Sequence, residues 1–252
     1  MKSPLKDPYV FKSAKVLKEI FPEKSIIESY LLYGAEMELN LAAANRMMIA
    51  HTNKYPVYEF WWMIKNHPRP IAAMAEDIAA GAEEKMLRVF QETWHQSRDP
   101  IFRSALFYIL NRCSDLSRVS CGVIDKSNIT SWCFSRLKQF EVKNFHLVLD
   151  KFEEFEEAIN MDIKSDFKFF PLGHYRHNFL EAGSRGAVDL SFVNHQKLWQ
   201  TLRDGDYKWV LLYKRHPHLL TALKSHNLIM VDTYGNRTTH EDKCEDIIVT
   251  NF

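Results

Sequence analysis

Cysteine is scarce and scattered in this chain. Four of 252 residues are cysteine, Cys113, Cys121, Cys133 and Cys244, with no CxxC pair, so neither a zinc site nor a disulfide framework is indicated and a reducing compartment is the simple reading. Neither sign of charge is in surplus: Lys plus Arg number 33 against 32 Asp plus Glu. A global positive field is therefore excluded as a reason to expect nucleic acid, and only a local patch could serve. No stretch approaches the ~20 apolar residues a membrane helix needs. The opening MKSPLKDPYVFKSAK lacks the apolar core of a signal peptide, and the expectation is a soluble intracellular protein without a membrane partner. Ser-His-Asp, Walker-type and GxGxxG patterns are missing as well.

What is present is a hydrophobic content of 46%, enough for a full core in one large domain. Residues 12–21 carry apolar side chains at helical spacing, and PEKS interrupts them before IIESYLLY, a run that reads as a buried strand. GAEMELNLAAAN reads as a helix and RMMIAH as a second strand, a β-α-β unit of the kind that builds parallel sheets. From Tyr58 to about Leu110 the pattern is helical, with Trp61, Trp62, Phe90, Trp94, Phe102 and Phe107 placed to form one buried face rather than a stacking platform. Residues 111–140 are rich in Ser, Asn, Asp and Gly and read as a long irregular or hairpin segment. Strand-like FHLVL, a helix over FEEFEEAI, strand-like FKFF, a helix over NHQKLWQTLRD, and the runs YKWVLLY, NLIMVD and EDIIVTNF restore an alternating α/β pattern.

Read in order, these segments resemble the Dam-like family of DNA adenine N6-methyltransferases from about Pro8 to Phe252. YVFKSAKVLKEIFP keeps the family's Lys12, Phe21 and Pro22, with Val10 and Phe11 where the family has glycines. ESYLLYGAEMELNLA stands at the cofactor motif: Glu28, Tyr30 and Gly34 fit, and Leu32 and Tyr33 replace glycine. At the family's Asn-Asp-x-Asn the chain has Ala50, His51, Thr52 and Asn53. NRCSDLSRVSCG and TSWCFSRL keep Asn111, Arg112, Cys113, Ser114, Gly122, Thr130, Arg136 and Leu137, and EDIIVTNF is similar to the family's Glu-Leu-Leu-Ile-Thr-Asn-Tyr ending.

The resemblance implies a Rossmann-like methyltransferase sheet, with 1–54 and 141–252 as the α/β core and 55–140 as a helical and loop insertion akin to a DNA target-recognition region. It implies S-adenosylmethionine as the cofactor of an active member, near Lys12, Tyr30, Gly34 and Asn53. DFKFFPL, residues 166–172, set against Asp-Pro-Pro-Tyr-Tyr-Pro-Leu makes Asp166 the acceptor of a flipped adenine's amine and Phe169 the stacking ring. A second register puts LGHY, residues 172–175, at that motif, keeping only Tyr175 and leaving no acceptor. The alternative to both is that Asp166 is a strand-edge residue and FKFF a half-buried strand.

Substitution of the two prolines frees a turn whose shape aims the acceptor. Bulky residues at glycine positions crowd the cofactor, and His51 offers one acceptor nitrogen where aspartate offers two oxygens. The expectation is thus a degenerate homologue without methyl transfer, acting as a DNA- or protein-binding or structural subunit; the other reading is an active adenine N6-methyltransferase. Arg112, Arg118, Lys126 and Arg136 are candidate contacts to double-stranded DNA, against an equal alternative of a solvated surface. HYRHNFLEAGSRGAVD, 174–189, suits a loop closing over DNA or a partner, with a plain surface loop as the default. His216 and His218 lack a third ligand nearby, so no metal is expected. By resemblance, a bacteriophage or bacterial source is implied, with the protein in the host cytoplasm or in a virion-associated assembly.

Overall fold

The computed structural model of this chain describes residues 1–30, 32–150, 159, 164–175, 180–181, 188–189 and 193–252. Its apolar runs become the strands of one sheet. The chain enters through α1 (Ala14–Ile20), β1 (Ile26–Ser29), α2 (Glu36–Ala42) and β2 (Met47–Thr52). It then passes through α3 (Tyr55–Asn66), α4 (Pro68–Gly81), α5 (Glu84–Thr93), α6 (Pro100–Cys113) and α7 (Ser131–Lys138) before returning as β3 (Phe145–Leu149). β4 (Phe167–Gly173) follows, then the short pair β5 (Leu180–Glu181) and β6 (Val188–Asp189). The remaining elements are α8 (His195–Asp204), β7 (Trp209–Lys214), α9 (Pro217–Ala222), β8 (Asn227–Asp232), β9 (Arg237–Thr238) and β10 (Cys244–Thr250).

Eight strands form the sheet in the order β3-β2-β1-β4-β7-β10-β8-β9. The pairs from β3 to β7 are parallel; β10 is antiparallel to both β7 and β8. This is an α/β fold with a mostly parallel, Rossmann-like sheet. Parallel strands carry helices on both faces and so read as continuous apolar runs, as WVLLY of β7 does, all five residues being buried. Alternation assigns neighbours to opposite faces. Phe169 packs with Leu17, Phe21, Ile27 and Val210 on one side, and Phe170 packs with Leu198, Leu211 and Leu219 on the other.

The helices between β2 and β3 bury Trp61, Trp94 and Phe107, with Phe90 and Phe102 packed partly against them. Trp62 departs from the expected face: it is 44% exposed, because in α3 it follows Trp61 by a turn of ~100° and so points away from the side Trp61 buries. The stretch 111–140 is also more regular than its composition suggests. α6 runs on to Cys113, and Thr130, in extended conformation, introduces α7. The helix expected over FEEFEEAI and most of 174–189 lie outside the described residues. Among the described residues, no helix is long and apolar enough to cross a membrane.

Candidate functional site

Strand order reverses between β1 and β4, since β2 and β3 lie to one side and β7 to the other. In a doubly wound sheet the carboxyl ends of the two strands at that point bound the crevice where ligands bind. Here those ends carry the turn at Gly34, after β1, and Gly173, the last residue of β4.

Both glycines are covered by the chain's own segment 7–9. A Cβ on Gly34 would fall 2.3 Å from Asp7 Oδ2, and one on Gly173 would fall 2.5 Å from the Tyr9 ring. Gly173 also has φ +70, a backbone region that side chains disfavour. Tyr9 meets His174 edge-on with ring centres 5.4 Å apart. Leu32 and Tyr33 are buried in the core. The Tyr33 carbonyl accepts from Trp61 Nε1 at 2.7 Å and its hydroxyl donates to the Ser117 carbonyl at 3.2 Å. Both residues thus link the turn to the helical insertion.

Beneath the crevice a polar network lies inside the sheet's second face. Glu28 is fully buried; its Oε2 accepts from Lys168 Nζ at 2.7 Å, Ser165 Oγ at 3.0 Å and Tyr30 Oη at 3.1 Å. His51 is buried beside it, with Nδ1 3.0 Å from Asp150 Oδ1 and Nε2 3.7 Å from Glu28 Oε1. The latter spacing is an ion-pair contact and too long for a hydrogen bond. The His51 ring stacks on Tyr30, which stacks on Phe170, each pair 4.8 Å apart. Burial raises the Glu28 carboxyl, but the His51, Lys168 and Ser165 donors outweigh it and hold it below the usual carboxylate range. For His51 burial lowers the imidazole, and Asp150 and Glu28 together raise it above its ordinary value.

Past the end of β4, Tyr175 sits among other rings: His195 at 4.7 Å, His216 at 5.0 Å, His218 at 5.2 Å and Trp199 at 6.1 Å. His195 Nδ1 lies 3.0 Å from Tyr213 Oη. Burial pushes its imidazole down to about 4 despite a backbone contact with Tyr175, so it is neutral at pH 7. No group of three or more metal-binding side chains assembles among the described residues.

The structure separates the residues that the resemblance groups together. Asp166 precedes β4 at the opposite end from Gly173. Its backbone N–H donates to the Ile26 carbonyl at 2.9 Å, and its carboxylate accepts from Ile26 N at 2.8 Å. The seven residues of β4, at ~3.3 Å each, place it about 20 Å from the crevice. Phe169 presents no free face, being fully buried against Phe21 at 5.6 Å. Both placements correct the 166–172 register. A catalytic turn belongs after a strand's carboxyl end, and the residues there are Leu172, Gly173, His174 and Tyr175, which include no acceptor carboxylate.

Of the cofactor candidates, Tyr30 is buried in the network, Gly34 lies under Asp7, and Asn53 follows β2 at the crevice end. Lys12 exposes its side chain and donates its backbone N–H to Asp246 Oδ2 at 2.5 Å. Among the DNA candidates, Arg118 is 4% exposed with its guanidinium 5.0 Å over the Tyr33 ring. Arg112 reaches Cys133 Sγ at 3.5 Å, and Lys126 donates to the Ala82 carbonyl at 2.8 Å. Arg136 alone of the four lies beside an exposed aromatic, 4.5 Å over Trp132, itself 61% exposed.

Sequence reading passed over Asp7, Asp150 and the pairing of Glu28 with Lys168. The usable signal was an acid and a base inside otherwise apolar strands, since such groups stay buried only when paired. Compared with known proteins, the chain matches no family model and no curated protein.

Proposed function

We propose that this chain is a Dam-like methyltransferase homologue that has lost methyl transfer and works as a DNA- or protein-binding structural subunit. One observation carries the reading: Asp7 and Tyr9 lie against the two glycines at the carboxyl ends of β1 and β4, where a nucleotide-like cofactor would need open backbone. The sheet order supports the methyltransferase part. It follows the doubly wound 3-2-1-4-5 sequence and inserts its last strand antiparallel near the far edge, a variation that methyltransferase sheets carry.

In this reading the residues present do not fit S-adenosylmethionine. The Gly34 turn is covered, the ribose-site aspartate is replaced by a histidine engaged with Asp150, and no carboxylate stands at the end of β4 to orient an amine. What the insertion offers outward is the Trp132–Arg136 pair on α7, an aromatic face with a cation of the kind that meets nucleic acid or a partner protein.

Calorimetric titration with S-adenosylmethionine, with and without adenine-containing duplex DNA, tests the reading. No heat at millimolar cofactor is the expected result, and micromolar binding would overturn it.

A further inference from the structure

The span 7–11 runs between two anchors. On one side the buried Asn111 amide clamps Lys6, accepting from its N–H at 2.8 Å and donating to its carbonyl at 3.0 Å. On the other, buried Asp246 on β10 accepts from Lys12 N at 2.5 Å and Ser13 Oγ at 2.7 Å. Lys214 Nζ lies 2.6 Å from the same carboxylate and donates to the Val10 carbonyl at 3.2 Å. Between the anchors, the seats that face the crevice are Asp7 on Gly34 and Tyr9 on Gly173.

We propose that residues 7–11 form a strap over the β1/β4 crevice whose seating is set by the charge on Asp7: closed while the carboxyl is neutral, lifted when it ionises. The inference rests on the reading that the chain's own segment covers this crevice. The seat is hostile to an anion. The groups facing the Asp7 carboxyl are Glu36 and Glu38 of α2, Arg118 of the insertion, and the N–H of Tyr9, which donates to Asp7 Oδ1 at 2.9 Å. Glu38 is itself buried and bonded to Ser29 Oγ at 2.7 Å.

Burial raises the Asp7 carboxyl to about 7, opposed by the Tyr9 N–H and by Arg118 and reinforced by Glu38 and Glu36. A lifted Asp7 would return to its ordinary 3.8. The lifted state therefore sheds its proton first. As pH rises through that interval the closed state loses ground by up to about tenfold per pH unit, and the loss levels off above 7.

Hydrogen exchange of the intact protein from pH 4.5 to 8, read by mass spectrometry with the intrinsic chemical rate divided out, tests this. The expected result is that opening of residues 5–12 rises between pH 5 and 7 by about tenfold or more and then stays level, while residues 26–29 do not follow. Asp7→Asn, which keeps the shape and removes the charge, should stay protected throughout. Gly34→Ala, whose new Cβ meets the Asp7 side chain, should exchange fast at every pH. Equal exchange in wild type and Asp7→Asn, or a pH-independent wild type, overturns the strap. Titrating wild type with S-adenosylmethionine at pH 7.5 separates the two claims: binding there overturns the proposed function whatever the exchange shows, and no binding leaves exchange to decide the strap alone.

Discussion

Lys168 Nζ lies 2.7 Å from Glu28 Oε2, with both side chains withdrawn from water between adjacent strands β4 and β1. Removing one partner of such a pair strands the other as a buried charge, which costs about 3–5 kcal/mol, whereas replacing both by apolar groups is far milder. Lys168→Met is therefore expected to lower stability in urea denaturation by that amount. The double variant Lys168→Met, Glu28→Leu should recover much of it. Equal losses in the single and double variants would show that the pair is not coupled.

His51 should give the protein a pH dependence above neutrality. Its folded pKa lies above the ordinary 6.5, so the stabilisation from the imidazolium between Asp150 and Glu28 is fully present below 6.5. It is lost as pH rises through the folded value. The Tm difference between wild type and His51→Gln should therefore shrink as pH is raised from 6.5 into the alkaline range.

His195 acts in the opposite sense. It is held neutral down to about 4, so its contribution is lost as pH falls from 6.5 toward 4. His195→Phe should flatten the acid limb of the Tm profile and leave the alkaline limb unchanged.

Phe169→Ala separates a core ring from a stacking platform. The side chain is fully buried beside Phe21 and Ile27, and truncation of such a ring costs about 3–5 kcal/mol. The expected outcome is a large fall in the urea midpoint. A variant of wild-type stability that had lost only DNA affinity would restore the stacking role.

Two arginines of the insertion should behave differently. Arg118→Ala removes a buried guanidinium from the Tyr33 face and is expected to destabilise by about 1–3 kcal/mol. Trp132→Ala with Arg136→Ala alters an exposed pair. It should leave stability within about 0.5 kcal/mol for each substitution while weakening duplex binding measured by fluorescence anisotropy at two salt concentrations. Unchanged binding in the double variant would turn the search toward a protein partner.

Much of the scaffold was legible in local pattern. WVLLY and IIVT read as buried strands because consecutive apolar residues suit a sheet covered on both faces. KSAKVLKEIF and NHQKLWQTLRD read as helices from their spacing, and the second is capped by Asn194, which accepts from Lys197 N at 3.1 Å. α7 escaped because Ser, Thr and Cys are indifferent helix formers. There, packing of Cys133, Phe134 and Leu137 against the insertion decides the conformation.

The site was not legible to the same degree, and the reason lies in register. FKFFPLG declares itself a strand, but which of its residues reaches the crevice depends on partners far along the chain: Phe169 beside Ser29 and Val210, Gly173 beside Tyr213. A likeness to Asp-Pro-Pro-Tyr drew Asp166 to the catalytic end, while the hydrogen bonds to Ile26 fix it at the other. By itself the sequence determined the alternation of elements, the two-sided core and the loss of glycines and prolines, all consequences of side-chain type and spacing. Only the tertiary structure decided that Asp7 covers Gly34, that Glu28 meets Lys168 and that Arg118 turns inward. Each contact joins residues more than 25 positions apart in the chain, and such pairings come from chain reversal and strand order, which no local pattern records.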